Sequence, residues 1–244
     1  MILHIKLVIA KILVNDFTGK LIAILFSNKI PFHNLRIDIS NPVIRKRIAA
    51  SLYFKTYESA EVRFISKYLK NYEGTIVELG SSIGVVSSTL AKANPKASLF
   101  SFEADKRFIP IIENNFKINT ISNAKCFNEI IGASGYEFIP GEDNTMGKIS
   151  KTDSQSNKMS SLSQLIKKYN FSEFVLVSDI EGAEYFVLNE NDAVFNAIPL
   201  LIIELHPIEI ENTLISVEDL KTRIQALGYE ILEQYGSNVV AKKR

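Results

Sequence analysis

From Thr75 onward, short apolar runs alternate with helix-length stretches in which apolar residues return every three or four positions. That alternation marks a parallel sheet whose strands are joined by crossover helices. The runs predict strands near 75–79, 97–102, 124–131, 174–178 and 200–205, with helices near 84–93, 106–119, 161–169, 183–194 and 217–227. Two further runs, 229–233 and 238–241, are parted by Gly236-Ser237 and predict an antiparallel hairpin. The fold class that follows is α/β, a doubly wound and mostly parallel sheet.

Ahead of Thr75 the pattern is less regular. Leu35, Ile37 and Ile39 alternate with Arg36 and Asp38, which predicts a short half-buried strand. Asn41-Pro42 is expected to start a helix, because Asn can cap free amides and Pro tolerates the first helical position. Val62, Ile65 and Leu69 recur at helical spacing opposite Arg63 and Lys67, so a helix is expected from about Ser59 to Lys70. Residues 1–26 read as an amphipathic helix. Lys6, Lys11, Asp16 and Lys20 break the run before the ~18 apolar residues of a membrane span accumulate. Two uses of that helix stand open: packing on the domain or on a second subunit as a homo-oligomer, and peripheral docking on a membrane through its lysines. The organisation expected is an N-terminal helical and strand extension over 1–70 and a catalytic-type α/β domain over 71–244. The polar stretch from Pro140 to Ser160 reads as a surface loop or, alternatively, a lid.

Composition changes this picture in two ways. A single cysteine, Cys126, excludes an internal disulfide and a thiolate zinc site, which points to a reducing, cytoplasmic setting. The net charge of +1 conceals a basic front: residues 1–50 carry eight Lys or Arg against two Asp, leaving the remainder acidic. With positive charge confined to one end, and with no Asn/Asp-Pro-Pro-Tyr/Phe motif, nucleic acid is not the expected partner.

The chemistry concentrates at strand ends. Thr75 to Gly84 runs from an apolar strand into a glycine-marked turn and then a helix, the geometry that lets a ligand lie on the backbone at Gly80, while Gly84 permits close packing. A dinucleotide fingerprint would need glycines at 80, 82 and 85, but Ser82 and Val85 stand there, which disfavours a nicotinamide cofactor. Glu103 ends the next strand, where an acid can accept both hydrogen bonds of a ribose diol. Asp179, Glu181 and Glu184 cluster at the end of the 174–178 run. Simple capping of a helix dipole would explain them, and so would a place beside the ligand crevice.

The spacing Asp179-x-Glu181-Gly182-x-Glu184 after a strand resembles the hallmark of the FkbM family of methyltransferases. Glu78-x-Gly80-x-x-x-Gly84 resembles the first motif of Rossmann-like methyltransferases. Glu103-Ala104-Asp105, the helix bearing Asn114 and Asn119, and Ile203-Glu204-Leu205-His206 are similar to further family segments, so the likeness covers about Tyr57 to His206. Ala104 replaces a usual Pro, and Gly80-Ser81-Ser82 replaces a commoner Gly-Ala-Asn.

The resemblance implies a class I methyltransferase fold of seven strands ending in an antiparallel hairpin, using S-adenosyl-L-methionine. It implies O-methylation of a sugar hydroxyl in a surface polysaccharide or glycoconjugate, or of a small natural product; a non-enzymatic S-adenosylmethionine-binding scaffold is the rival. Cofactor contacts are expected from Glu78, Gly80, Ser81, Ser82, Gly84, Glu103, Ala104 and Asp179, with Asn128 and Glu129 near the adenine. Asp179 is the expected base and His206 a second one, since histidine ordinarily titrates near neutrality. Glu181 and Glu184 are expected to meet substrate or, with Asp179, to hold a hard cation such as Mg²⁺. His4 and His33 are assigned no chemistry. The setting expected is cytoplasmic, with peripheral contact at the inner face of a membrane as the alternative.

Overall fold

The structure is a computed structural model that describes residues 13–143, 147–152 and 159–244. Residues 1–12 of the amphipathic helix expected over 1–26 lie outside the described residues, as do 144–146 and 153–158 of the polar stretch.

Seven strands form the central sheet: β3 (Thr75–Leu79), β4 (Ser98–Glu103), β5 (Ala124–Asn128), β8 (Phe174–Ser178), β9 (Leu200–Glu204), β12 (Tyr229–Tyr235) and β13 (Asn238–Lys243). Their order is β12-β13-β9-β8-β3-β4-β5, with β13 antiparallel to β9 and to β12 and the other neighbours parallel. The strands read as unbroken apolar runs because both faces are covered. Val77, Leu79, Leu176 and Ile203 point into one core, and Ile76, Val175, Val177 and Ile202 into the other. The chain moves outward from β3 through β4 to β5, then returns to place β8 on the other side of β3. Such a reversal opens a crevice at the carboxyl ends of the two strands, and loops gather there.

The first seventy residues add a layer on one side. Helix α1 (Asp16–Leu25), the hairpin β1 (Lys29–Phe32) and β2 (Leu35–Asp38), α2 (Arg47–Tyr53) and α3 (Ser59–Tyr68) precede the sheet. Ile30, Phe32, Ile37 and Ile39 share one apolar cluster with Ile83, Ile112 and Phe116. The free edge of β2 is held by asparagines of α5 (Ile109–Ile118) and its C-cap. Asn119 Oδ1 accepts from Arg36 N at 2.9 Å while its Nδ2 donates to Arg36 O at 2.7 Å. Asn115 accepts from Asp38 N and donates to Ile83 O, and Asn114 donates to the Asp38 carboxylate. Side-chain amides thus do for β2 what a neighbouring strand would do.

Several expectations are corrected. Asn41-Pro42 starts no helix: Asn41 Oδ1 accepts from Val43 N in a local turn, and α2 begins only at Arg47. The helix expected over 183–194 is α7 (Glu184–Leu188) followed by a 3₁₀ helix, Asp192–Ala197, because Asn191 Oδ1 caps the amide of Ala193 and restarts the chain. The strand expected to run to 131 stops at Asn128. The polar stretch contains a strand, β7 (Lys148–Lys151), paired with β6 (Tyr136–Ile139), and a second unexpected hairpin joins β10 (Ile208–Ile210) to β11 (Thr213–Ile215). Helices α4 (Val85–Ala93), α6 (Leu162–Tyr169) and α8 (Val217–Ala226) lie where the periodicity predicts them.

Candidate active site

Gly80 leaves β3 with φ +84°, and a Cβ there would lie 1.7 Å from the carbonyl oxygen of Asp179. Only glycine permits both that conformation and that approach of the β3 and β8 loops. Asp179 N donates to Leu79 O and Gly80 N to Phe102 O, so the ends of β3, β4 and β8 are tied together. Three residues with side chains also adopt left-handed backbone at this place: Glu58 (φ +44°), Ser82 (φ +47°) and Glu181 (φ +52°). Such conformations are uncommon away from glycine, and three of the twelve among the described residues meet at this crevice.

A cavity of about 180 Å³ opens there. Gly80, Ser82, Glu103, Ala104 and Glu129 form one wall, Asp179 and Glu181 another, and Phe138 and Ile149 of the β6–β7 hairpin form the roof. Tyr57 and Glu58, from the first seventy residues, complete it. A smaller cavity shares Glu58, Gly80, Ser82 and Asp179 with it and reaches inward to Glu61, Glu78, Glu204 and Asn238.

Glu103 bridges two loops: Ser82 N donates to its Oε2 at 2.7 Å and Asp105 N to its Oε1 at 2.8 Å. Burial pushes its carboxyl up to about 7 against the pull of those amides. Glu78 is buried too, accepts from Ser81 and Ser87, keeps Oε1 unpartnered, and is raised by burial to about 7. Burial and then the charge of Glu204 lift Glu58 to about 7; burial and then Glu58 lift Glu61 to about 8. Asp179 is raised well above the usual range by burial, then by Glu58 and Glu204, and its Oδ1 has no hydrogen-bond partner.

The remaining expected residues divide by position. Ser81 turns toward Glu78 and lines only the smaller cavity. Gly84 lies in neither wall: a Cβ there would be 3.2 Å from Ile112, so its place is a packing contact with α5. Asn128 Nδ2 donates to the carbonyls of Glu103 and Ala104 and holds the loop rather than entering either wall. Glu129 lines the larger cavity, paired with Lys168 and accepting from Tyr169 OH at 3.2 Å.

Glu184 does not join Asp179 and Glu181 as a third free ligand. Its oxygens accept from Ile180 N and Gly182 N, each at 2.8 Å, and Oε1 lies 3.3 Å from His206 Nδ1. Among the described residues, the groups whose ligand atoms do approach one another within 4.8 Å are Asp179, Glu181 and His206, and Glu58, Asp179 and Glu204. His206 also departs from expectation. Burial works against its charge, but the bond and charge of Glu184, then Glu181 and Glu204, raise it to about 9. It is an imidazolium at neutral pH, not a free base. Among the described residues it is the one cation within salt-bridge distance of Asp179, Glu181 and Glu204.

Sequence reasoning left Tyr57, Glu58, Glu61, Glu204 and the roof out of the site. One signal was available for Glu61: it stands three and four residues before Phe64 and Ile65, on the buried stripe of α3, where an unpaired acid is expensive.

The pattern of the methyltransferase FkbM domain matches residues 78–231. No curated protein matches the chain. Among solved structures, the chain is similar to precorrin-6y C5,15-methyltransferase from Geobacter metallireducens (9% identity, 84% of this chain and 91% of that one, TM-score 0.44). It is also similar to ribosomal protein L11 methylase from Lactobacillus delbrueckii subsp. bulgaricus (10%, 78% and 80%, 0.46). A third is a TehB-like S-adenosylmethionine-dependent methyltransferase from Corynebacterium glutamicum (13%, 78% and 94%, 0.42).

Proposed function

Because this chain belongs to the FkbM methyltransferase family, whose members are S-adenosylmethionine-dependent, we propose that it methylates a sugar hydroxyl through the crevice at the ends of β3, β4 and β8. The observation that carries the reading is the gathering of Glu58, Glu61, Glu78, Asp179 and Glu204 around one cavity, with His206 within salt-bridge distance of Asp179 and Glu204. Buried acids held above their usual range call for a positively charged ligand. The cradle at Gly80 and the unpartnered Ser82 Oγ and Asp179 Oδ1 fit the same ligand.

S-adenosylmethionine, when bound, supplies an electrophilic methyl on a sulfonium and a second positive charge on its ammonium. Glu103 would hold the ribose, Ala104 and Glu129 would border the adenine, and Glu58, Asp179 and Glu204 would face the cationic end. Phe138 and Ile149 add apolar surface to the lining of the cavity. Asp179 would accept the proton of the sugar hydroxyl: it lines the cavity, its Oδ1 has no hydrogen-bond partner, and burial raises its affinity for protons. His206, charged and anchored by Glu184, orients Glu181 and can donate to a neighbouring sugar oxygen. Positioning supplies most of the remaining acceleration. A second reading has Glu58, Asp179 and Glu204 hold a hard cation such as Mg²⁺, which their spacing favours.

Incubation with methyl-labelled S-adenosylmethionine and a panel of glycosides, with and without EDTA, tests the proposal. It predicts an O-methyl sugar formed equally in both conditions. Activity abolished by EDTA would favour the metal reading. Label on nitrogen or carbon alone, or on a non-sugar hydroxyl only, would overturn the sugar assignment. Cofactor binding without transfer to any acceptor would favour the non-enzymatic scaffold.

A further inference from the structure

The face that α1 turns away from the protein is apolar. Phe17, Leu21, Ile24 and Leu25 are 72%, 54%, 77% and 73% exposed. Their spacing, with Lys20, follows i, i+3, i+4, i+7 and i+8, which is one side of a helix. Gly19, Ile22 and Ala23 form the other side and are buried. The helix is firmly seated. A Cβ on Gly19 would lie 1.9 Å from the Lys46 carbonyl oxygen, Asn15 caps Thr18 N, and Asp16 accepts from Arg47 N. The Tyr53 ring, 5.4 Å from Phe26 and itself exposed, extends the apolar surface.

The surroundings select the occupant. Residues 13–56 contain Lys20, Lys29, Arg36, Arg45, Lys46, Arg47 and Lys55 against two acids, Asp16 and Asp38. Both acids are engaged, Asp16 with Arg47 N and Arg45, and Asp38 with Ser40 N and Asn114. Lys20, Lys29, Arg36 and Lys55 are exposed. A two-fold contact with a second copy would press two such basic regions together, which opposes self-association. Apolar side chains beside Lys20, on a segment with a cationic excess, instead complement a surface that offers hydrocarbon beneath negative headgroups. No helix among the described residues is long and apolar enough to cross a membrane.

We infer that the exposed face of α1 docks on an anionic lipid surface. The inference goes beyond the methyl-transfer reading and does not depend on it. The structure also links this face to the cavity: Arg45 stands 4.0 Å from Asp16 at the start of α1 and 3.3 Å from Asp143, which lines the cavity. A lipid-bound α1 would therefore hold the cavity near the bilayer, where an acceptor carried on a lipid would be met.

The test is sedimentation of the full chain with vesicles of phosphatidylcholine alone and with about 30% phosphatidylglycerol. The inference predicts pelleting with the anionic vesicles, weakened by salt. Leu21→Ser/Ile24→Ser should lower vesicle affinity by roughly tenfold or more. Lys20→Glu should reduce binding to anionic vesicles only. The substituted positions are exposed, and unchanged thermal melting of each variant confirms an intact fold. Absence of pelleting, equal pelleting of the Leu21→Ser/Ile24→Ser variant, or a dimer that this variant abolishes without any vesicle binding would overturn the inference. S-adenosylhomocysteine affinity measured without lipid reports separately on the methyltransferase reading.

Discussion

At the seam between β2 and α5, Asn115 and Asn119 are buried and satisfied, each accepting from one backbone amide and donating to a carbonyl. At the ends of β3, β8 and β9, buried polar atoms are left over: Glu61 Oε1, Glu78 Oε1, Ser82 Oγ, Asp179 Oδ1 and Asn238 Oδ1 have no partner. The two regions lie on the same scaffold and are both rich in polar side chains. Their difference separates two uses of a buried polar group. A satisfied amide fixes a fold, whereas an unsatisfied cluster of acids weakens the ligand-free fold and is relieved only by what binds there. The account predicts that damage at the seam lowers stability with chemistry intact, and that removing the charge of a crevice acid lowers chemistry or ligand binding without lowering the stability of the ligand-free fold.

The largest effect should come from Asp179→Asn, which keeps the shape of the loop and removes the proton acceptor. Turnover should fall by about 10³-fold. Affinity for S-adenosylhomocysteine, read by calorimetry, should fall far less, by about tenfold at most, because Glu58 and Glu204 still face the ammonium. A wild-type rate in this variant would remove Asp179 from the mechanism. Gly80→Ala comes next, because the new methyl meets the Asp179 carbonyl in a left-handed conformation. It should abolish measurable cofactor binding and cost about 2–3 kcal/mol in chemical unfolding.

On the other side of the comparison, Asn119→Ala orphans both backbone groups of Arg36. The expected loss is about 2 kcal/mol, a Tm lower by roughly 4–8 °C, with kcat/KM unchanged at low temperature. A changed kcat/KM with normal stability would reverse the roles assigned to the two regions.

The smallest effect is the dependence on pH, and its sign is set by the crevice. Glu58, Glu61, Glu78 and Glu103 bind protons more tightly when folded, so raising the pH above about 4.5 favours unfolding until each ionises near 7 or 8. His206 acts in the same direction: its contribution is full below 6.5 and is lost as pH rises through about 9. The ligand-free protein should therefore melt at a lower temperature at high pH than at pH about 6. Glu61→Gln should flatten this slope and raise stability above pH about 8 by about 1 kcal/mol. A slope of opposite sign would contradict the buried-acid account.

How much of this was legible in the chain follows the same physics. Strands β3, β8 and β9 were readable because both of their faces are buried, which leaves continuous apolar runs. The β6–β7 hairpin was not, since its half-exposed strands lie next to a Gly, Ser and Lys-rich stretch with no periodic signal. Gly80, Glu103, Asp179 and Glu181 could be placed because strand ends of a doubly wound sheet converge. Glu58 and Glu204 could not, because their nearness to Asp179 depends on how α3 and β9 pack, and neither is a local property. The charge of His206 was hidden for the same reason: acids from the loop after β8, from α7 and from β9 set it.

The central claim is that the acid-lined crevice holds a nucleoside cofactor, and titration calorimetry with S-adenosylhomocysteine tests it most directly. The account predicts one site of micromolar affinity. Glu103→Ala should weaken it by at least about tenfold, with circular dichroism unchanged. No binding heat from the wild-type protein, or equal affinity in the Glu103→Ala variant, would contradict it.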